Sequence, residues 1–284
     1  MGGMRTSAAV TTDSPGRQRA GTNVAAMTAL RPTGLKERHG TRHRADDDRG
    51  AAPFTRAALD YAAERRGQTL ALLQVGATTA GDDLDAGRLR MAGCDVAVTL
   101  IDDDTAAARA AAAGRPDLYA CTLCDLRMAP LVPRSVDIVH AALLERISNA
   151  ELVLDRLVET LKPGGLLLLQ TGDRDCATGF LDRALPRPLR ALIWRSLRPG
   201  WPGPYPAVYE RLVSERGIHS YVLRRGLVIA QRQTLSLLPG RRRPLWLLAV
   251  SRLVAGLSRG RLTSAHDELR YVIRKPEDQF ARVL

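Results

Sequence analysis

Aromatic side chains are scarce in this sequence: Phe, Trp and Tyr make up 4% of its 284 residues. So few rings argue against a surface built to stack nucleic-acid bases. Cysteine is sparse too, and Cys94, Cys121, Cys124 and Cys176 make no dense disulfide framework in a chain this long. Long apolar runs are missing. The longest, Leu245–Leu257, is short of the roughly 20 residues that cross a bilayer and contains Arg252. Residues 1–30 lack a compact apolar core, the best being the VAAMTAL run that ends at Leu30, so no secretory leader is expected. The turn Gly76–Gly81 lacks the G-x-G-x-x-G spacing, which argues against a dinucleotide-dependent oxidoreductase. No internal repeat is present.

Hydrophobic residues make up 45% of the chain, enough to exclude wholesale disorder at this length. The formal net charge of +12 is unevenly spread. Residues 1–50 carry 9 Lys/Arg and 5 Asp/Glu, residues 51–175 carry 13 and 18, and residues 176–284 carry 20 and 7. An acidic middle joined to a basic third points to a core domain plus a segment that faces something anionic: lipid, nucleic acid or substrate.

Residues 1–50 are rich in Thr, Gly, Arg and Asp without apolar periodicity and are expected to form a disordered tail. From Pro53 the pattern changes. A helix is predicted over Pro53–Arg66, then apolar runs at Leu70–Val75, Val96–Ile101, Leu118–Leu123, Val136–Val139 and Leu166–Thr171. Helical stretches lie between them, including Thr105–Ala113 and Asn149–Leu161. Short buried strands alternating with helices predict an α/β doubly wound, mostly parallel sheet over residues 51–175. Asp104 is the expected cap of the Ala-rich helix. Residues 176–284 read as a basic, proline-rich insert followed by closing strands at Leu227–Leu235 and Leu269–Arg274, with two short helices, Tyr205–Arg216 and Ile218–Arg225, parted by Gly217. The Cys121-x-x-Cys124 pair lacks a second ligand pair for zinc, so buried small side chains are expected there and no metal site.

Four features carry chemistry. Gln74-Val75-Gly76-Ala77-Thr78 is a strand end and small-residue turn where backbone can approach a ligand. Asp102 ends the second strand, where a carboxylate can accept from a ribose diol. Asp125 and Leu126 follow the third strand, and LVETLKPGGLLLLQT (157–171) is a helix end, turn and strand.

At these residues the chain resembles the class I S-adenosylmethionine-dependent methyltransferases, and the methyltransferase type 11 group in particular. The most specific match is the pair DIVHAALLERI (137–147) and LVETLKPGGLLLLQT (157–171), with LRYVIRKP (269–276) resembling the closing strand. The resemblance implies a seven-stranded Rossmann-like sheet in the order 3-2-1-4-5-7-6, with S-adenosyl-L-methionine over the carboxyl ends of the strands. It implies cofactor contacts at Gln74, Gly76, Ala77, Thr78, Asp102, Asp125, Leu126 and His140. The glycine-rich motif, commonly DVGCGTG in the family, is eroded here: one glycine remains and Gln74 stands where the acid would be. Gln74 can still meet an ammonium group through its carbonyl oxygen, without charge assistance. Methyl transfer needs alignment more than an obligatory base. If a base is used, His140, His219 and Tyr209 are unranked candidates.

The basic third holds Pro188–Leu197, a helix with Leu189, Leu192, Ile193 and Leu197 on one face and arginines at its rim. Arg241-Arg242-Arg243, the apolar Leu245–Leu257, Arg259 and Arg261 repeat the design. Each segment fits a buried core or lid helix with a solvated charged rim, or an interfacial helix. The resemblance places both over the acceptor, with Trp194, Trp201, Tyr205 and Tyr209 as walls of an apolar pocket. The implied acceptor is a small or lipid-like molecule, with an anionic membrane surface a partner of segments 187–198 and 241–261. A nucleic-acid substrate is disfavoured, because no RNA-binding module or NPPY-type motif accompanies the charge. The expected location is cytoplasmic, with the inner membrane surface as a peripheral site. The competing reading is a methyltransferase-fold protein that has lost the reaction and acts as a binding or membrane-surface module.

Overall fold

The computed structural model describes residues 52–277 apart from 66, 77–83, 85, 143, 198–205 and 236–244. The expected N-terminal tail lies outside these residues. In chain order the elements are α1 (Pro53–Glu64), β1 (Leu70–Val75), α2 (Ala86–Met91), β2 (Val96–Asp102), α3 (Ala106–Ala113), β3 (Leu118–Leu123) and β4 (Val136–Ala141). They continue with α4 (Ala150–Thr160), β5 (Leu161–Gly172), α5 (Ala177–Ala184), α6 (Arg187–Leu197), α7 (Glu215–Arg224), β6 (Val228–Leu235), α8 (Leu245–Leu257) and β7 (Glu268–Arg274).

The strands form one sheet in the order β3-β2-β1-β4-β5-β7-β6. The first five are parallel, and β7 runs antiparallel between β5 and β6. This is the doubly wound, Rossmann-like architecture, in the strand order that the resemblance implies. Central strands are apolar in both directions because both faces are covered. Leu70, Leu72, Ile138, Leu168 and Val272 pack under α1 and α2 with Phe54, Ala58 and Leu89. Leu73, Val75, Val139, Leu167, Leu169 and Tyr271 pack under α4 and α7 with Leu154, Leu157, Ile218 and Tyr221.

Asp137, buried at the start of β4, ties the lower edge together. Its carboxylate accepts from Lys162 Nζ at 2.7 Å, from the Ala71 backbone N–H at 3.0 Å and from the Tyr61 hydroxyl at 3.4 Å. Arg65 stands 4.0 Å away and lies over the Tyr61 ring. Burial, then the Asp137 charge, pushes the Tyr61 hydroxyl up to about 12. Beside Asp137 the LKPGG segment bulges out of β5: Val136 pairs with Leu161, and the next pair is Ile138 with Leu166. Gly164 there has φ +77°, and a Cβ on Gly165 would sit 2.9 Å from the Asp137 carbonyl oxygen.

Several local expectations are corrected. Only one helix, α7, forms where two were expected. Ser214 caps it by accepting the Gly217 N–H at 3.1 Å, and Gly217 is there for close approach, since a Cβ would lie 2.3 Å from the Arg211 carbonyl oxygen. Residues 206–210 are irregular. The insert starts with a helix, α5, that its irregular sequence hid. Thr105 caps α3 by accepting the Ala108 N–H, while Asp104 pairs with Arg109 at 2.7 Å. Cys121 is exposed and Cys124 half-buried, because β3 is an edge strand with one uncovered face.

We expect D137A to cost about 3 kcal/mol, since it leaves Lys162, Arg65 and the Ala71 N–H without their common partner. The partly exposed K162M should cost about 1 kcal/mol. Urea denaturation of both variants measures the difference.

Candidate functional site

The strand order reverses between β1 and β4, so a crevice opens above their carboxyl ends. Gly76 leaves β1 with φ +90°, a left-handed conformation that favours glycine, and donates its N–H to the Ile101 carbonyl at 2.9 Å. Ala142 closes the other side, donating to the Val75 carbonyl at 3.3 Å. Ala77 and Thr78 lie outside the described residues.

Three carboxylates crowd the tips of β2 and β3. Asp102 is buried at the end of β2 and accepts the Asp103 backbone N–H at 2.8 Å. Burial, then the charges of Asp102 and Asp125, raises the Asp103 carboxyl, which the Leu126 backbone N–H partly offsets. Asp125 is held by Arg127 through both oxygens, at 2.6 to 3.1 Å, and these bonds bring its carboxyl down to about 2. The Leu126 side chain itself is buried against Leu144 and the rest of the α4-side core.

On the α1 side, Gln74 and His140 face the same layer in register across β1 and β4. The Gln74 side-chain oxygen accepts from Arg115 at 2.6 Å, and Arg115 in turn pairs with Asp117 at 2.6 Å. His140 is fully buried, edge-on to Phe54 with ring centres 5.5 Å apart, and neither ring nitrogen has a hydrogen-bond partner among the described residues. Burial, then the Arg270 and Arg115 charges, lowers its pKa to about 4, so the ring is neutral. One row up the sheet, the buried Gln170 Oε1 also lacks a partner.

A second cluster lies past the end of β5. Residues 206–210 run alongside the turn after β4: the Val208 and Tyr209 N–H groups donate to the Glu145 carbonyl, both at 3.0 Å. Glu210 caps α4, accepting the Asn149 N–H at 2.6 Å and the Ala150 N–H at 3.0 Å. Thr171 donates to Glu145 at 3.0 Å, and Arg146 lies 3.6 Å from Glu145. Tyr209 hydrogen-bonds to Asp182, which faces Arg190 at 3.7 Å. Burial, then the Asp182 and Glu145 charges, raises the Tyr209 hydroxyl well above the usual phenol value.

The structure therefore brings Gln74, Gly76, Asp102, Asp125, Leu126 and His140 to one edge of the sheet. It does not bring the three expected bases together. His219 stacks edge-on against Tyr271 under α7, across the sheet from His140. Arg115, Glu145, Asp182 and Arg190 were missed from sequence. Arg115 carried no motif, Asp182 sits in the insert where no period placed it, and Arg190 was read only as part of the rim of a helix. Among the described residues, no group of three or more His, Cys, Asp or Glu side chains is placed to hold a metal.

No protein-family model matches this sequence, and no curated protein does. Among solved structures the chain is similar to a methyltransferase in complex with the Haloferax volcanii Trm112 activator. The TM-score is 0.48 at 15% identity, over 81% of this chain and 94% of that one. It is also similar to the [4+2]-cyclase SpnF (TM-score 0.47, 17% identity, 78% of this chain and 81% of that one). A third is an S-adenosylmethionine-dependent methyltransferase from Mesorhizobium loti (TM-score 0.46, 17% identity, 80% of this chain and 100% of that one).

The depressed pKa of His140 has a definite sign. Its neutral form suits the fold, so stability is full above the unfolded value near 6.5 and falls by about 3 kcal/mol as pH drops to about 4. H140L should raise stability at pH 7 by about 1 to 2 kcal/mol and remove this part of the acid limb. Thermal melts of both proteins between pH 4 and 8 measure it.

Proposed function

We propose that this chain is an S-adenosyl-L-methionine-dependent methyltransferase acting on a small-molecule or lipid-like acceptor. The observation that carries the reading is the sheet order with β7 reversed between β5 and β6, found where the motif resemblance required it. The residues at the crevice fit the cofactor best at its ribose end. Gly76 leaves its floor without a side chain, and the buried Asp102 carboxylate stands at the tip of β2, where it can accept two ribose hydroxyls. Asp125 and Leu126 flank the adenine position. The Arg127 pair on Asp125 is exposed and cheap to open. His140 and Gln74 line the α1 side, and the backbone of Ala77 and Thr78 completes the set expected from sequence.

When bound, the cofactor supplies a sulfonium methyl group, whose bond to sulfur breaks as the acceptor's nucleophile bonds to it, leaving S-adenosylhomocysteine and a proton. The chain's part is to align the partners and exclude water. Of the candidate bases, His140 is fully buried beside Phe54 and holds a proton poorly, so the chain supplies alignment and no base is needed from it. Tyr209 holds its proton tightly against Asp182 and serves as a wall. The acceptor enters from the side of Glu145, Arg146 and Asp182, toward the basic third, where an anionic membrane surface would present a lipid-like molecule. The implied site of action is the cytoplasmic face of the membrane.

A specific observation favours a second reading, a binding protein of this fold without transferase activity. Arg115 holds the Gln74 oxygen and Asp103 takes the Leu126 N–H, so two groups that would meet the cofactor are already engaged.

Calorimetric titration separates the two. S-adenosylmethionine should bind, with D102N about tenfold weaker, the loss of one charge-assisted interaction. No detectable binding at millimolar ligand would sink the transferase reading and leave the second.

A further inference from the structure

Helix α8 turns Ser251 inward, with Val250, Val254 and Ala255 half-buried, and sets its largest described apolar side chains outward. Ser251 is buried and its hydroxyl has no partner among the described residues, while Trp246, Leu253 and Leu257 are 47%, 62% and 75% exposed. Together with the exposed Ala249 they fall at spacings of three and four, one stripe along the helix. A helix that serves only as a lid or core element buries its large apolar side chains instead. Arg252 flanks the stripe, and Arg259 and Arg261 stand exposed just beyond its end. Residues 241–261 contain six arginines and no acidic residue.

We propose that α8 docks on an anionic lipid bilayer, its stripe entering the headgroup and acyl boundary and its arginines meeting lipid phosphates. The charge selects the occupant. A second copy of the chain would cover the stripe but would bring the same arginines face to face, and nucleic acid would satisfy the arginines but leave the leucines in water. An anionic bilayer satisfies both. At 13 residues α8 is about 20 Å long and lies along the interface; no helix among the described residues is long and apolar enough to cross a membrane.

The helix is also fastened to the acceptor side. Past its end, the Ala177 N–H donates to the Thr263 carbonyl at 2.7 Å and the Thr263 N–H to the Asp175 carbonyl at 3.1 Å. His266 Nε2 meets Asp173 at 3.0 Å, and Thr178 donates to Asp267 at 2.7 Å. A bilayer under α8 is thereby held beside the end of β5. As the route by which a lipid-like acceptor arrives, this inference rests on the methyltransferase reading; as a docking surface it does not.

Sedimentation of the full-length protein with vesicles tests it, phosphatidylcholine alone against phosphatidylcholine with phosphatidylglycerol. We expect salt-sensitive binding to the anionic vesicles only, about tenfold weaker in L253S/L257S and in R252S/R259S/R261S, with S-adenosylmethionine titration unchanged. In W194F/W201F protein, lipids brominated near the headgroup should quench Trp246, a readout that does not depend on the serine variants folding. No binding to anionic vesicles at low salt, or no quenching of Trp246, overturns the proposal. A dimer in sedimentation velocity that L253S/L257S turns into a monomer overturns it in favour of a second copy. Loss of cofactor binding with docking intact would sink only the transferase reading.

Discussion

Asp137 is the constraint on which the rest of the sheet's order depends. One buried carboxylate accepts from β1, from α1 and from the bulge that opens β5, so three separate stretches of chain are registered against β4 at its lower end. A negative charge taken out of water requires such partners, and the requirement fixes which strands can be neighbours. The carboxyl edge of the same strand is the opposite case. His140, three residues on, has no partner at either nitrogen among the described residues. Polar groups satisfied at one edge and unsatisfied at the other mark which end of a sheet holds itself together and which end is shaped for something else.

The charge follows the same division. Carboxylates gather at the tips of β2 and β3, where burial, then the charges of Asp102 and Asp125, pushes Asp103 toward neutrality. Two cations act on His140 from opposite directions, Arg115 from the loop before β3 and Arg270 from β7. The net charge of +12 reports none of this; its placement does.

Much of the fold was legible because hydrophobic period alone fixes buried parallel strands. Leu70–Val75 and Leu118–Leu123 fall where the apolar runs predicted them. The edge was read less well. Cys121 sits in an apolar run and is nevertheless exposed, because sequence does not say which strand ends the sheet. Gly217 reads as a break and is a contact, since a missing side chain serves both purposes and only the neighbouring Arg211 carbonyl distinguishes them. At the site, Gly76, Asp102 and His140 were named because strand ends are visible in sequence. Arg115 was not, because it reaches Gln74 across 41 positions, and Asp182 was not, because the insert carries no period to place it.

The pairing of Leu235 with Glu268 has a further consequence. β6 and β7 are a hairpin whose turn has been replaced by an excursion of about thirty residues, with α8 inside it, that returns to the adjacent position. Lengthening a connection costs only about 0.6 kcal/mol per doubling, so the pairing of β6 with β7 depends little on the length of what hangs from this point. Lineages of this chain can therefore exchange one appendage for another here, or a laboratory can open the chain here and rejoin its ends elsewhere, with the sheet keeping its register.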